Sequence, residues 1–184
     1  MQETNSSQSS TPKPPDIVIY TDGSCRKNPG PGGSAAVVFY GDGKVAAIAK
    51  FIGENSTNNK AEICAIKIAL EHVKESGKID NQVIHLYSDS EYSLNVIAGQ
   101  YKANKNKWLI NEARKLVLLA LNGAGIRMFY VRGHNGHEWN EVCDVLANLA
   151  SSNPGMDRTE ILDGKDQLRE LTQRVKADLD GIRK

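Results

Sequence analysis

Ile17-Val18-Ile19-Tyr20-Thr21-Asp22-Gly23-Ser24, with Asn28-Pro29-Gly30-Pro31-Gly32-Gly33 just beyond it, is a β-rich apolar run that stops on a carboxylate and meets turn-forming glycine and proline. A second such run, Val83-Ile84-His85-Leu86-Tyr87-Ser88, stops on Asp89. Between the two, the stretch from Asn59 to Ser76 reads as a helix that is apolar almost all round, through Ile63, Cys64, Ile66, Ile68, Ala69, Leu70 and Val73. Such a helix is largely buried, so Glu62 in its first turn needs a reason. A fourth acid, Asp144, falls on a later amphipathic helix.

Working outward, strands are expected near Asp16–Asp22, Ser34–Tyr40 and Lys44–Ile52, with Tyr40-Gly41-Asp42-Gly43 as the hairpin turn between the last two. Next come a long helix (Asn59–Ser76), a strand (Gln82–Ser88), a short helix (Ser90–Gln100), a helix (Lys107–Leu121), a strand (Ile126–Val131) and a helix (Glu138–Ser151). This order predicts an α/β fold: a mixed five-stranded sheet, three antiparallel strands and then two parallel additions, with helices on both faces.

Each carboxylate taken singly has an ordinary structural explanation. Asn59-Lys60-Ala61-Glu62 and Ser88-Asp89-Ser90-Glu91 both fit a capping box, Asp22-Gly23 fits a tight turn, and Asp144 fits a solvated helix face. Their joint placement at the ends of elements changes the weighting, because α/β sheets put their sites in crevices beside strand ends. Hard divalent cations take oxygen ligands, and a pair of them serves both the attacking and the leaving oxygen in phosphate chemistry. The set therefore points to a metal-dependent nuclease.

Composition limits the partners. The chain has 184 residues, 40% of them hydrophobic, and a formal net charge of +1, which suits one core of about 140 residues plus two tails. No bulk basicity advertises nucleic acid, so any attraction must come from a local patch. Cys25, Cys64 and Cys143 are odd in number and show no paired spacing, which fits a reducing compartment. No run is apolar over the length of a membrane span, and the first residues lack a signal-peptide pattern, so a soluble cytoplasmic protein is expected. Residues 1–15, rich in Ser, Thr, Gln and Pro, are expected to form a disordered polar tail before a domain of residues 16–153. In residues 154–184, a linker and an amphipathic helix, Leu168, Leu171, Val175, Leu179 and Ile182 recur at helical spacing. Docking on the domain is the plainest role of that helix; partner binding or self-association is the second.

The segments Tyr20-Thr21-Asp22-Gly23-Ser24-Cys25, Asn28 to Gly33, Thr57-Asn58-Asn59-Lys60-Ala61-Glu62, Tyr87-Ser88-Asp89-Ser90-Glu91-Tyr92, and Val131-Arg132-Gly133-His134-Asn135-Gly136-His137 with Asn140-Glu141-Val142-Cys143-Asp144 together resemble type 1 ribonuclease H. The match runs in one order from about Asp16 to Asn153. The resemblance implies a ribonuclease H-like fold and an endonuclease that hydrolyses the RNA strand of RNA/DNA hybrids, leaving 5′-phosphate and 3′-hydroxyl ends. Asp22 and Asp89 would be the central ligands of two Mg²⁺ ions, with Mn²⁺ as an alternative, and Glu62 and Asp144 would complete the two sites. His134, in a glycine-flanked loop, would assist proton transfer or product release. Asn28, Asn58 and Asn59, with Glu62, would read the RNA strand through its 2′-hydroxyl, and Thr57 and Asn106 would hold a phosphate of the DNA strand.

Several features depart from that pattern. Glu91 places an extra acid beside Asp89, Asn55 stands where some relatives have Arg, and the basic protrusion is shortened to the stretch from Tyr101 to Trp108. Its Lys102, Lys105 and Lys107 are candidate phosphate contacts, with a solvated turn as the alternative, and Trp108 is expected to pack on the core. His134, His137 and Cys143 are zinc-ligand residue types, but they lack finger-like spacing and an evident fourth ligand; His137 is expected to cap or brace the loop. A monomer without a small-molecule cofactor is expected. Because the fold alone does not give the reaction, another nuclease of the superfamily or a catalytically silent hybrid-binding module stays open.

Overall fold

The computed structural model describes residues 14–133 and 136–182. β1 (Ile17–Cys25), β2 (Gly30–Tyr40) and β3 (Val45–Ser56) form an antiparallel meander; β4 (Ile84–Ser88) pairs parallel with β1, and β5 (Ile126–Tyr130) parallel with β4. The helices are α1 (Asn58–Glu75), α2 (Glu91–Ala98), α3 (Lys107–Asn122), α4 (Glu138–Ser152) and α5 (Lys165–Ile182). The mixed α/β sheet flanked by helices is as expected, and the hairpin turn at Tyr40–Gly43 closes with 3.0 Å hydrogen bonds from Gly43 N to Tyr40 O and from Tyr40 N to Lys44 O.

The strand count is corrected from five to six. β6 (Asp157–Leu162) pairs antiparallel with β3, giving the order β5-β4-β1-β2-β3-β6. Its sequence is mostly polar and exposed, with only Leu162 buried, so it carries no strong strand signal of its own. The free edge of β3 makes it a strand, and the Lys50–Asp157 ion pair at 2.8 Å and the Lys44–Asp163 pair tie the two edges together.

Successive residues of the central strands serve opposite cores, because side chains alternate across a sheet. On one face Ala36 and Val38 join Ile63, Ile66, Leu70, Leu86, Ile110 and Val117 around α1 and α3. On the other, Ala35 and Val37 join Leu146, Leu149, Leu168, Leu171, Val175 and Leu179 around α4 and α5. The apolar stripe of α5 is thus spent on the domain itself. Among the described residues no helix is long and apolar enough to cross a membrane.

Two close approaches set the helices on the sheet. β1 does not turn at Asp22 but continues to Cys25, with Gly23 opposite Ser34. A Cβ on Gly23 would overlap the backbone of Ala61 and Glu62, and one on Gly33 would overlap the backbone of Ala147 and Ser151. Glycine at these positions lets α1 and α4 lie directly on β1 and β2.

Candidate active site

The capping explanations for the acids do not survive the geometry. The N-cap of α1 is Thr57, whose hydroxyl accepts a hydrogen bond from Lys60 N at 3.3 Å, so Glu62 lies a turn further in and caps nothing. The N-cap of α2 is Ser90, accepting from Ser93 N at 3.3 Å, which leaves Asp89 just outside that helix. Asp22 is in the body of β1, its Oδ1 accepting from Gly23 N at 2.7 Å.

Released from local duties, these acids converge. Asp22, Glu62 and Asp89 place carboxylate oxygens within 4.8 Å of one another, among the described residues the one cluster of at least three His, Cys, Asp or Glu able to hold a metal. Asp22 is 6% exposed, and its pKa is pushed up to about 8 by burial and then by the nearby charges of Asp89 and Asp144. Burial and the charges of Asp22 and Asp89 likewise raise Glu62 well above the usual carboxylate range. Glu62 Oε2 is buried without a hydrogen-bond partner. Acids forced together, desolvated and left with an unsatisfied oxygen are compatible with a divalent cation, and an all-oxygen set suits a hard one.

Asp144 stands on α4 outside that trio but close enough to raise Asp22. Asn148 Nδ2 donates to Asp144 Oδ1 at 2.8 Å and to its backbone carbonyl at 2.9 Å. Asp89 is held from the other side, Asn140 Nδ2 donating to its Oδ2 at 3.1 Å. A Cβ on Gly133 would lie 2.7 Å from Asp89 Oδ2, so a side chain there would crowd the ligand. Asn140 and Asn148 are site residues the sequence reading passed over. Asn140 lay in a quoted motif without a role, and the spacing of four between Asp144 and Asn148 was the available signal.

His134 lies outside the described residues. His137 occupies the N-cap position of α4 without a side-chain cap bond. Cys143 is fully buried, its Sγ donating to Tyr20 O at 3.3 Å, so it is packed as core instead of offered to zinc.

A second convergence lies beside the acids. Asn28, Thr57, Asn59, Lys102, Lys105 and Asn106 line one open cleft of about 450 Å³ together with Tyr92 and Asn104. Asn58 is exposed next to it, its backbone N donating to Asn28 Oδ1 at 3.3 Å. Lys107 lines an adjoining cleft of about 460 Å³ that shares Lys102 and Asn104. Asn106 enters α3 with a left-handed φ of 57° that Asn tolerates, and its side chain makes no cap bond. Arg114 braces this region by donating to Val96 O and Ile97 O at the end of α2. Trp108 is corrected: it is 71% exposed, because it sits in the first turn of α3 on the side away from buried Leu109 and Ile110.

Comparison with known proteins agrees with this geometry. The RNase H family model matches residues 14–152. Curated relatives named ribonuclease H include one from Syntrophomonas wolfei, 37% identical over 151 residues and covering 76% of this chain and 99% of its own, and one from Cyanothece, 38% identical over 137 residues, covering 70% and 85%. Among solved structures, RNase H1 from Halobacterium salinarum aligns with a TM-score of 0.60 at 29% identity, covering 74% of this chain and 97% of that one. LC11-RNase H1, isolated from compost, solved in complex with an RNA/DNA hybrid, aligns with a TM-score of 0.60 at 30% identity, covering 74% and 96%. This chain belongs to the ribonuclease H family, hydrolases that act on RNA/DNA hybrids.

Proposed function

We propose that the chain cleaves the RNA strand of RNA/DNA hybrids by two-metal-ion hydrolysis, leaving 5′-phosphate and 3′-hydroxyl ends. The observation that carries this reading is the convergence of Asp22, Glu62 and Asp89 within 4.8 Å beside a polar, lysine-edged cleft. Asp22 and Asp89 would hold two Mg²⁺ or Mn²⁺ ions between them, with Glu62 and Asp144 completing the sets. Such ions stabilise negative charge on the non-bridging and leaving oxygens and lower the pKa of the attacking water. The protein's part is placement: β1, α1 and α4 carry Asp22, Glu62 and Asp144, and Asp89 sits in the short link between β4 and α2, so little reorganisation is left for the moment of reaction. His134 would move a proton or ease product departure, as the resemblance implies.

Asn28, Asn58 and Asn59, with Glu62, are proposed to meet the 2′-hydroxyls of the RNA strand, and Thr57 and Asn106 a phosphate of the DNA strand. Their grouping around one cleft, with Asn28 and Asn58 already bonded, supports that reading. Lys102, Lys105 and Lys107 would add phosphate attraction without sequence preference. Residues 16–153 would form the catalytic domain, with residues 154–184 as its packed extension. Three free cysteines support a reducing, cytoplasmic setting, and the chain is proposed to act as a monomer.

The test is incubation of labelled RNA/DNA hybrid, RNA duplex and DNA duplex with Mg²⁺, Mn²⁺ or EDTA. Cleavage of the RNA strand of the hybrid alone, abolished by EDTA, is expected. Hybrid binding without cleavage under every metal would replace this reading with that of a silent binding module.

A further inference from the structure

Asp22 lies in a strand and Asp89 directly follows one, but Asp144 depends on a helix that must be kept in register with the sheet. Beside the close approach at Gly33 and the apolar packing of α4, polar contacts at the site itself hold that register. Ser24, two residues beyond Asp22 on β1, donates its hydroxyl proton to Asn148 Oδ1 at 2.8 Å, a link spanning 124 positions of chain. Asn148 Nδ2 in turn donates to Asp144 Oδ1 at 2.8 Å. The amide orientation follows from chemistry: an ionised carboxylate only accepts, so the NH₂ group must face Asp144 and the amide oxygen must face the hydroxyl.

We propose that Asn148 is a positioning residue which ties the Asp144 carboxylate to β1 through Ser24 and so sets the affinity of the acidic site for divalent cations. The inference rests on the reading of that site as a cation site. Without the tether, the Asp144 carboxylate loses its hydrogen-bonded link to β1, and part of the binding free energy goes into placing it. Outer partners of this kind are worth tenfold or more in metal affinity where they orient a carboxylate ligand. The backbone carbonyl of Asn148 separately accepts the hydroxyls of Ser151 and Ser152, at 2.9 and 2.8 Å, and those contacts survive a change of side chain.

The experiment compares wild type, Asn148→Ala, Ser24→Ala and the double variant by calorimetric titration of the substrate-free protein with Mn²⁺. Mg²⁺ half-saturation in hybrid cleavage and melting temperature in EDTA are measured alongside. Asn148→Ala is expected to weaken Mn²⁺ binding and raise the half-saturating Mg²⁺ about tenfold, with little change in melting temperature. Ser24→Ala is expected to move both in the same direction by less, and the double variant to match Asn148→Ala, because Ser24 acts only through the amide. Wild-type Mn²⁺ affinity in Asn148→Ala overturns the proposal. Should that variant fail to fold, Ser24→Ala decides alone, and an unchanged Mn²⁺ affinity there overturns it equally. A wild type that binds no divalent cation brings down the reading of the site and the tether together, whereas a wild type that binds normally beside unaffected variants removes the tether only.

Discussion

Asp22 and Glu62 are two acids held where their charged forms are penalised, and this has a consequence for metal-free protein. Their pKa values lie above the unfolded ones, to about 8 for Asp22, so between roughly pH 4 and pH 8 the folded state binds more protons than the unfolded state. Stability in EDTA should therefore fall as pH rises through that window, in contrast to the usual carboxylate that gains a partner. Asp22→Asn is expected to melt no lower than wild type at pH 8 in EDTA, to lose the Asp22 share of that slope while the buried Glu62 keeps its own, and to cleave nothing. Denaturation curves across pH with a parallel hybrid assay check this, and substantial Mg²⁺-dependent cleavage by Asp22→Asn would contradict the ligand assignment. For His134→Ala, turnover slower by about 10² to 10⁴-fold with hybrid binding kept is the expected signature of proton transfer. Binding that declines in step with rate would assign the loop a structural role.

At the scale of elements, the site is built by three close crossings, and glycine permits two of them. Gly23 admits the backbone of α1 onto β1 next to Asp22, and Gly33 admits α4 onto β2. Gly33→Ala should cost about 1–3 kcal/mol through overpacking against backbone that has nowhere to move, measured by urea denaturation. Gly23→Ala should cost a similar amount and also depress cleavage out of proportion to stability, because the displaced segment carries Glu62. Equal activity per folded molecule in the two variants would show that α1 tolerates the shift. The third crossing, of α4 over β1, is where Cys143 meets Tyr20 O and Asn148 meets Ser24.

For the whole molecule, the second core and the charge distribution matter most. Leu168, fully buried between α5 and the sheet, joins the C-terminal segment to the core that positions α4. Leu168→Ala is expected to lower global stability by about 2–5 kcal/mol, readable in urea, as a cavity in a packed interior does. A loss confined to local fraying of α5 would mean that this segment is an appendage. With a net charge of only +1, attraction for nucleic acid must be local. Replacing Lys102, Lys105 and Lys107 by Ala in an Asp22→Asn background should flatten the plot of log affinity against log salt by roughly 2 to 3 units. An unchanged slope would return that loop to the status of a solvated turn.

The sequence by itself determined the alternation of strands and helices, the hairpin at Tyr40–Gly43 and the candidate acids. Apolar periodicity and turn chemistry are local, and carboxylates at the ends of apolar runs are visible without coordinates. It also held the stripe of α5, although not the surface that stripe would cover. Only the tertiary structure decided that Glu62 caps nothing, that Gly23 is a crossing and not a turn, and that Trp108 faces solvent. Each of these depends on what lies opposite in space. The same holds for β6, a polar segment that becomes a strand because β3 offers it an unpaired edge. It holds again for Asn148, whose partner Ser24 is 124 positions away. A hydrogen bond needs only a few ångströms in space and leaves no periodicity in the chain.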